Sequence, residues 1–389
     1  MELGEAEPLD MILHPFEKCP NTFMPRCSYN GQYGIVNNLN YSQIAKLMKR
    51  KEKLHVFYPD QPQHKVSLNL IDSRVGTPQH RLAVCPPPLS QFAVWAILPR
   101  FFEVRTKMYE HDKTIEIERV PWGYIPLPEN TPEEEDPNKE VHRAEHVLVW
   151  NDCILRSRGK TEYLALADFD EVFVLYNNQS FLSFLDSLLE KKPKAGSFSF
   201  LSVSAYMQHT YLDATDPTQI QFNDHYEFKV DNKAFRHGSM SKVVVIPERV
   251  ESEAVHESLR MEKPFTEHIV DPKIGKLLHL RLRPMEMIGD LLIPTTDVAK
   301  YVPAWDRRYK KIINDEIERL KSSTGAAELT LKTNQWKNNG FKVMLEADNC
   351  FEALESEDKV CPTRYRCLAR LRTMKYNEWV HGGSSWVAL

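Results

Sequence analysis

No stretch of this chain reaches the ~18 uninterrupted apolar residues that a membrane-spanning helix needs. The longest apolar run, Phe92 to Val104, is broken by Pro99 and Arg100. The N-terminus, MELGEAEPLD, lacks the positive start and apolar middle of a secretion signal, so the sequence as it stands shows no route into the secretory pathway. An excess of one charge is missing as well. Lys and Arg number 50 against 54 Asp and Glu, for a formal net charge of −4, and no long basic stripe offers a phosphate backbone a footing. Nucleic acid is therefore excluded as an expected partner. The seven cysteines, Cys19, Cys27, Cys85, Cys153, Cys350, Cys361 and Cys367, form no CxxC pair, which argues against a zinc ribbon and a thioredoxin-type redox centre. Cys361 and Cys367 lie close enough in sequence to pair with each other or with Cys350, and an odd count leaves at least one thiol free. Internal repeats are absent.

What is present is the composition of a globular protein, 42% hydrophobic and 27% charged, which excludes fibrous and wholly disordered classes. At roughly 150 residues per domain, the length suits two to three units or one large α/β enzyme with appendages. Asn40-Tyr41-Ser42 and Asn178-Gln179-Ser180 are sequons that a lumenal protein would offer to glycosylation.

Residues 1–78 are irregular, with short strand-like pieces at Leu54–Tyr58 and Val66–Leu70, and read as an accessory or stem-like region. His80–Val84 reads as a strand, Gln91–Tyr109 as a helix kinked at Pro99, and Thr114–Val120 as a half-buried strand by its period of two. Pro126–Lys139 is an acidic loop, and Glu140–Arg158 has helical spacing that stops at Gly159. Tyr163–Ala167 is a short apolar run, the pattern of a strand buried on both faces. A helix at Phe181–Glu190 and strands at Ser197–Ser204, Lys242–Ile246 and Lys276–Arg283 complete an alternation that predicts α/β layers.

The buried strand ends in Asp168-Phe169-Asp170-Glu171. Three carboxylates packed together without a cation raise one another's pKa and cost stability, so something positive belongs there. Ligands of open α/β sheets bind at the carboxyl ends of strands, where these acids fall. Carboxylates there can hold Mg or Mn, and with it the phosphates of a nucleotide. Two other readings stand beside this one. The acids can simply cap a turn, or Ala167–Val172 can be the nucleophile loop of a haloacid-dehalogenase-like phosphatase, which needs a distal Gly-Asp such as Gly289-Asp290.

With its flanks the cluster resembles glycosyltransferase family 92, the domain also called DUF23. The resemblance rests on His146–Arg156 (HVLVWNDCILR), Tyr163–Val174 (YLALADFDEVFV), Ser241–Val250 (SKVVVIPERV) and His279-Leu280-Arg281, over about residues 80–290. It implies a GT-A-like, Rossmann-type mixed sheet flanked by helices, a DxD motif, Mn2+ or Mg2+ as cofactor, UDP-galactose as donor and a glycan or glycoprotein acceptor. It also implies the lumenal side of the Golgi membrane, with a membrane anchor that this chain does not show. Residues 79–300 would form that domain and 301–389 a helical, cysteine-containing extension. Carried onto these positions, the resemblance makes Asp168, Asp170 and His279 candidate metal ligands. Asp168 and Arg281 become donor contacts, Arg281 because a guanidinium fork suits phosphate oxygens, and Asn151 and Asp152, on the helix before the motif strand, either reach the donor ribose or cap and pack. His256 matches a family histidine of unassigned role, and Cys153 reads as a buried hydrophobe or half-cystine. Transfer also needs a base for the acceptor hydroxyl, for which Asp224 and Glu227 are the candidates. Tyr206, His209 and Tyr211 form an aromatic patch of the kind that stacks on sugars. One departure is expected: Phe101–Val104 runs almost directly into Arg105–Tyr109, so roughly one strand-helix unit of the family is missing. That loss also admits a non-catalytic relative that keeps the fold to bind a glycan or partner.

Overall fold

The computed structural model describes residues 9–89 apart from 17–25, 30, 37–38, 51–53 and 70–75; residues 92, 94, 97–98 and 100–101; and residues 118–374 apart from 119, 121, 124, 126, 128–129, 144, 178, 214–215, 282–288 and 325–339. The expected strand at Thr114–Val120, most of the helix at Gln91–Tyr109 and the segment of the missing unit lie outside them.

Before the core come two small antiparallel ladders, β1 (Ile12–Pro15) with β2 (Gln32–Ile35), then, after α1 (Tyr41–Arg50), β3 (Leu54–Val56) with β4 (Val66–Leu68). The core chain then runs β5 (His80–Cys85), α2 (His146–Ser157), β6 (Thr161–Leu166), β7 (Glu171–Leu175), α3 (Phe181–Lys191), β8 (Ala195–Phe200), β9 (Ser202–Tyr206), β10 (Phe228–Asp231) and β11 (Lys242–Val245). It continues with β12 (Val250–Glu253), β13 (Ser258–Met261), β14 (Thr266–Val270), β15 (Gly275–His279) and β16 (Leu292–Thr295), and ends in α4 (Val302–Thr324), α5 (Gly340–Ser356) and α6 (Arg364–Arg372).

One five-stranded mixed sheet has the order β14-β8-β11-β6-β5, and a second has β16-β10-β9-β15-β7. Alternation along the central strands builds three layers. Tyr163 and Ala165 of β6 and Val244 of β11 face α3 through Phe181, Phe184 and Leu185, whereas Leu164, Leu166, Val243 and Val245 face Trp150 and Ile154 of α2. Helix α2 starts at His146, later than expected, and stops where Gly159 takes φ +73°, a conformation that a Cβ disfavours. The α/β expectation is met.

The expected strand Ser197–Ser204 is two strands. Its alternation runs on across Leu201, but β8 belongs to the first sheet and β9 to the second, so one continuous pattern serves two ladders. Strand β5 is the edge of its sheet among the described residues, paired on one side with β6 in parallel. Val302, Trp305 and Tyr309 of α4 are buried against Tyr211, Phe222 and Val298.

Disulfides Cys27–Cys361, Cys85–Cys153 and Cys350–Cys367 tie this arrangement together. Of the expected pairings Cys350–Cys367 forms, while Cys361 reaches back 334 residues to Cys27. Cys153 is a half-cystine that fastens α2 to β5. Closing so long a loop restricts the unfolded chain strongly, so Cys27→Ser should lower stability by about 2–4 kcal/mol. Thermal melting under non-reducing conditions checks this, and an unchanged midpoint would contradict it.

Candidate functional site

Strand register assembles the centre. In the β11–β6 ladder Val244 faces Ala165 and Val245 faces Leu164, so Lys242 comes opposite Ala167, one residue before Asp168. In the β15–β7 ladder His279 faces Glu171 directly. The turn between β6 and β7 is held by its own polar groups: Asp168 N–H donates to Glu171 Oε2 (2.8 Å), and Leu280 N–H donates to the carbonyl of Asp170 (2.7 Å).

Cations surround the three acids. Lys242 Nζ lies 3.1 Å from Asp168 Oδ2 and 3.5 Å from Glu171 Oε1, with the Trp150 ring 5.1 Å away. His279 Nε2 lies 3.3 Å from Asp170 Oδ2 and also 3.0 Å from Arg281 Nε, and serves one of them at a time. Burial alone would lower the His279 pKa, yet Asp170 raises it, which favours a protonated ring turned to Asp170. The side chains of Glu171 and Lys242 are each 1% exposed, whereas those of Asp168 and Asp170 are 29% and 26% exposed. The site thus has a buried floor and two carboxylates open to ligand. Burial opposes ionisation at both of those, but Lys242 outweighs it at Asp168, and His279, Arg281 and Arg100 outweigh it at Asp170. At Glu171 burial wins over Lys242 and pushes the carboxyl up to about 7. Around this centre, burial depresses His146 to about 4 and His256 to about 3, leaving both rings neutral.

The acids suit a divalent cation by chemistry, since two carboxylates and an imidazole are donors that Mn2+ and Mg2+ accept. Among the described residues, however, no three His, Cys, Asp or Glu side chains already stand in coordinating positions. Asp168 and Asp170 are held instead by Lys242 and His279, two internal cations with which an ion must compete.

Other expected positions serve different ends. Asn151, by sequence either a donor-ribose contact or a packing residue, is buried, and its amide is committed to the backbone: Nδ2 donates to the carbonyls of Val147 (2.7 Å) and Glu253 (2.8 Å), and Oδ1 accepts from Glu253 N–H (2.9 Å). It fastens α2 to β12 and leaves no free donor for a sugar. Asp152 pairs with Arg156 one turn along α2 at 2.6 Å. Asp224 is likewise committed, accepting from Thr210 N–H (2.6 Å) and Oγ1 (2.8 Å). Glu227 is exposed and makes no hydrogen bond or ion pair among the described residues. Both acids line a cavity of about 300 Å3 with Tyr206, Met207, Gln208, Phe228 and Lys229. His209 joins cavity and centre, since its Nε2 lies 2.8 Å from the Arg281 carbonyl. Tyr211 is buried with Phe222 and His225 and belongs to the core rather than to an open aromatic patch. The phosphatase reading fails on Asp290, a surface residue 92% exposed and paired with Lys233.

The backbone partner of Asn151 supplies a test of its own. Glu253 is fully buried, and burial, with Glu267 and Glu257 near, raises its pKa well above 4.5 against the effect of Ser258. A raised folded pKa gives stability that is complete below the unfolded value and lost as pH rises through the folded one. Glu253→Gln should therefore flatten the loss of melting temperature expected as pH rises above 4.5. Parallel curves for the two proteins would contradict this.

The profile of glycosyltransferase family 92 matches residues 102–323, more than half of the chain and through most of α4. The chain belongs to this family. Two glycosyltransferase family 92 proteins of Caenorhabditis elegans are similar to it: one is 23% identical over 164 residues, 42% of this chain and 30% of the relative, and another is 24% identical over 147 residues, 38% and 27%. A third from the same organism is 20% identical over 184 residues, 47% of this chain and 34% of the relative. The family 92 match thus spans about a third or less of the length of these curated relatives.

Proposed function

We propose that this family 92 chain is a glycosyltransferase that moves galactose from UDP-galactose to a hydroxyl of a glycan acceptor. The observation that carries the reading is Asp168 and Asp170, open at the ends of strands and backed by Lys242, His279 and Arg281. Such a centre suits a diphosphate, which brings several charged oxygens and leaves during the reaction. Galactose, the glycan acceptor and the Golgi lumen come from the family resemblance. The three disulfides support a lumenal site, because such bonds persist in oxidising compartments.

In the transfer, an acceptor oxygen forms a bond to the anomeric carbon while the bond from that carbon to the diphosphate oxygen breaks. The leaving group departs with the electron pair, and the acceptor proton passes to a base. Glu227 fits that role better than Asp224, because its carboxylate makes no bond or ion pair among the described residues and lines the cavity with Tyr206. Tyr206 in the same wall offers a ring for the acceptor sugar. Asp168, Asp170 and His279 would hold Mn2+ or Mg2+, which when bound would neutralise the leaving phosphates.

A transfer assay with labelled UDP-hexoses and free glycans tests the reading. Galactose transfer should appear and fall about 10²–10⁴-fold in Glu227→Gln. If the folded protein binds glycan but turns over no UDP-hexose, the binding-module alternative replaces this one.

A further inference from the structure

Among the described residues, Arg100 is a buried cation with no carboxylate paired to it. It is 1% exposed, and its one hydrogen bond to those residues is from Nη1 to His225 Nε2 at 2.8 Å. Burial and Arg100 itself hold the His225 pKa well below its usual value, so this partner is a neutral ring. Nη2 has no hydrogen-bond partner, and although the Tyr211 hydroxyl lies beside the guanidinium, neither atom completes a bond to the other. No carboxylate stands within ion-pairing distance among the described residues. Leaving a guanidinium in such a place is costly unless an anion arrives to share it.

Its position says where that anion sits. The Phe101 ring packs 4.7 Å from that of Phe169, the residue between Asp168 and Asp170, and Phe92 packs on the same ring at 5.6 Å. Phe101, the residue after Arg100, is therefore packed on the acidic turn itself. On its other side Arg100 touches His225, next to the Asp224 that lines the 300 Å3 cavity. Arg100 also falls two residues before the stretch that the family profile matches.

We infer that Arg100 is a phosphate-binding residue which, with Arg281, grips the diphosphate of the donor as it becomes the leaving group. The inference rests on the donor reading above and adds a residue that the sequence pattern gave no reason to place there. A guanidinium fork can give two parallel hydrogen bonds to phosphate oxygens, a geometry a lysine does not offer.

Calorimetric titration of UDP, inorganic pyrophosphate and uridine into wild type, Arg100→Met and Arg100→Lys tests it. UDP affinity should fall about 10–100-fold in Arg100→Met and by less in Arg100→Lys, with uridine binding unchanged. Without ligand, Arg100→Met should melt no lower than wild type, since an unpaired buried charge has gone; a residue that merely supported the fold would show the reverse. If Arg100→Met does not fold, a loss of UDP affinity in Arg100→Lys carries the same conclusion. Equal UDP affinity in wild type and variants overturns the role of Arg100 and leaves the donor reading standing. Pyrophosphate bound through Arg100 with no gain from the uridine moiety upholds the anion site and sinks the nucleotide-sugar reading. A folded wild type that takes up neither UDP nor pyrophosphate overturns both.

Discussion

Asp170→Asn should leave the protein folded and cut sugar transfer by about 10²–10³-fold, the loss typical when one group stabilising transition-state charge is removed. The fold survives because the structural contact at this position is made by the backbone: the Asp170 carbonyl accepts from Leu280 N–H at 2.7 Å whatever the side chain. The carboxylate does something else. It pairs with His279 at 3.3 Å and keeps that ring charged, so an uncharged amide of the same shape leaves the imidazolium without its partner. Transfer rates and circular dichroism measured on the same preparation check the claim. Undiminished transfer would show that Asp170 lies outside the chemistry.

Lys242→Met should be the most damaging single change to stability. Nζ is the cation nearest Asp168 and lies 3.5 Å from Glu171, in a place closed to water. Taking one partner from a buried ion pair costs about 3–5 kcal/mol, and here the buried acid left without Lys242 is Glu171, since Asp168 is open at the surface. Methionine keeps the packing against Trp150, so the loss reports charge rather than volume. Adding Glu171→Gln to Lys242→Met removes that stranded acid and should restore part of the stability. Chemical denaturation of the single and double variants measures this, and a double variant weaker than the single would contradict it.

Much of this architecture was legible. The acids at the end of an apolar strand, the glycine stop of α2 and the His-x-Arg of a later strand are local patterns, and the structure bears out the α/β fold that the alternation of strands and helices predicts. What escaped depends on partners far apart in sequence. Glu171–Leu175 is not among the strands expected from the sequence, and its pairing with β15 shows it to be strand β7. Lys242 opens an apolar run and passed as a strand terminus, although a lysine leading into Val243-Val244-Val245 already asks for a buried counter-charge. Arg100 looked like the break in an apolar stretch. Its environment comes from Tyr211 and His225, more than a hundred residues on, which no local spacing reveals. The same holds for Cys27 and Cys361, whose pairing follows from where the two ends of the chain pack. Asn151 is the opposite case: its neighbours in sequence leave a donor contact and a packing role both open, and a partner about a hundred residues on shows its amide closing a contact between α2 and β12.

The central claim is that Asp168 and Asp170, with the cations around them, form the nucleotide-sugar site. Titrating UDP and UDP-galactose into the purified protein by calorimetry, with and without Mn2+, beside Asp168→Ala/Asp170→Ala, tests it most directly. Because Lys242 and His279 already neutralise the acids, Mn2+ alone should bind weakly, nucleotide and metal should strengthen each other, and the double variant should lose both. Nucleotide binding that persists unchanged in the double variant, or its absence from a folded wild type with Mn2+ in excess, would contradict the account.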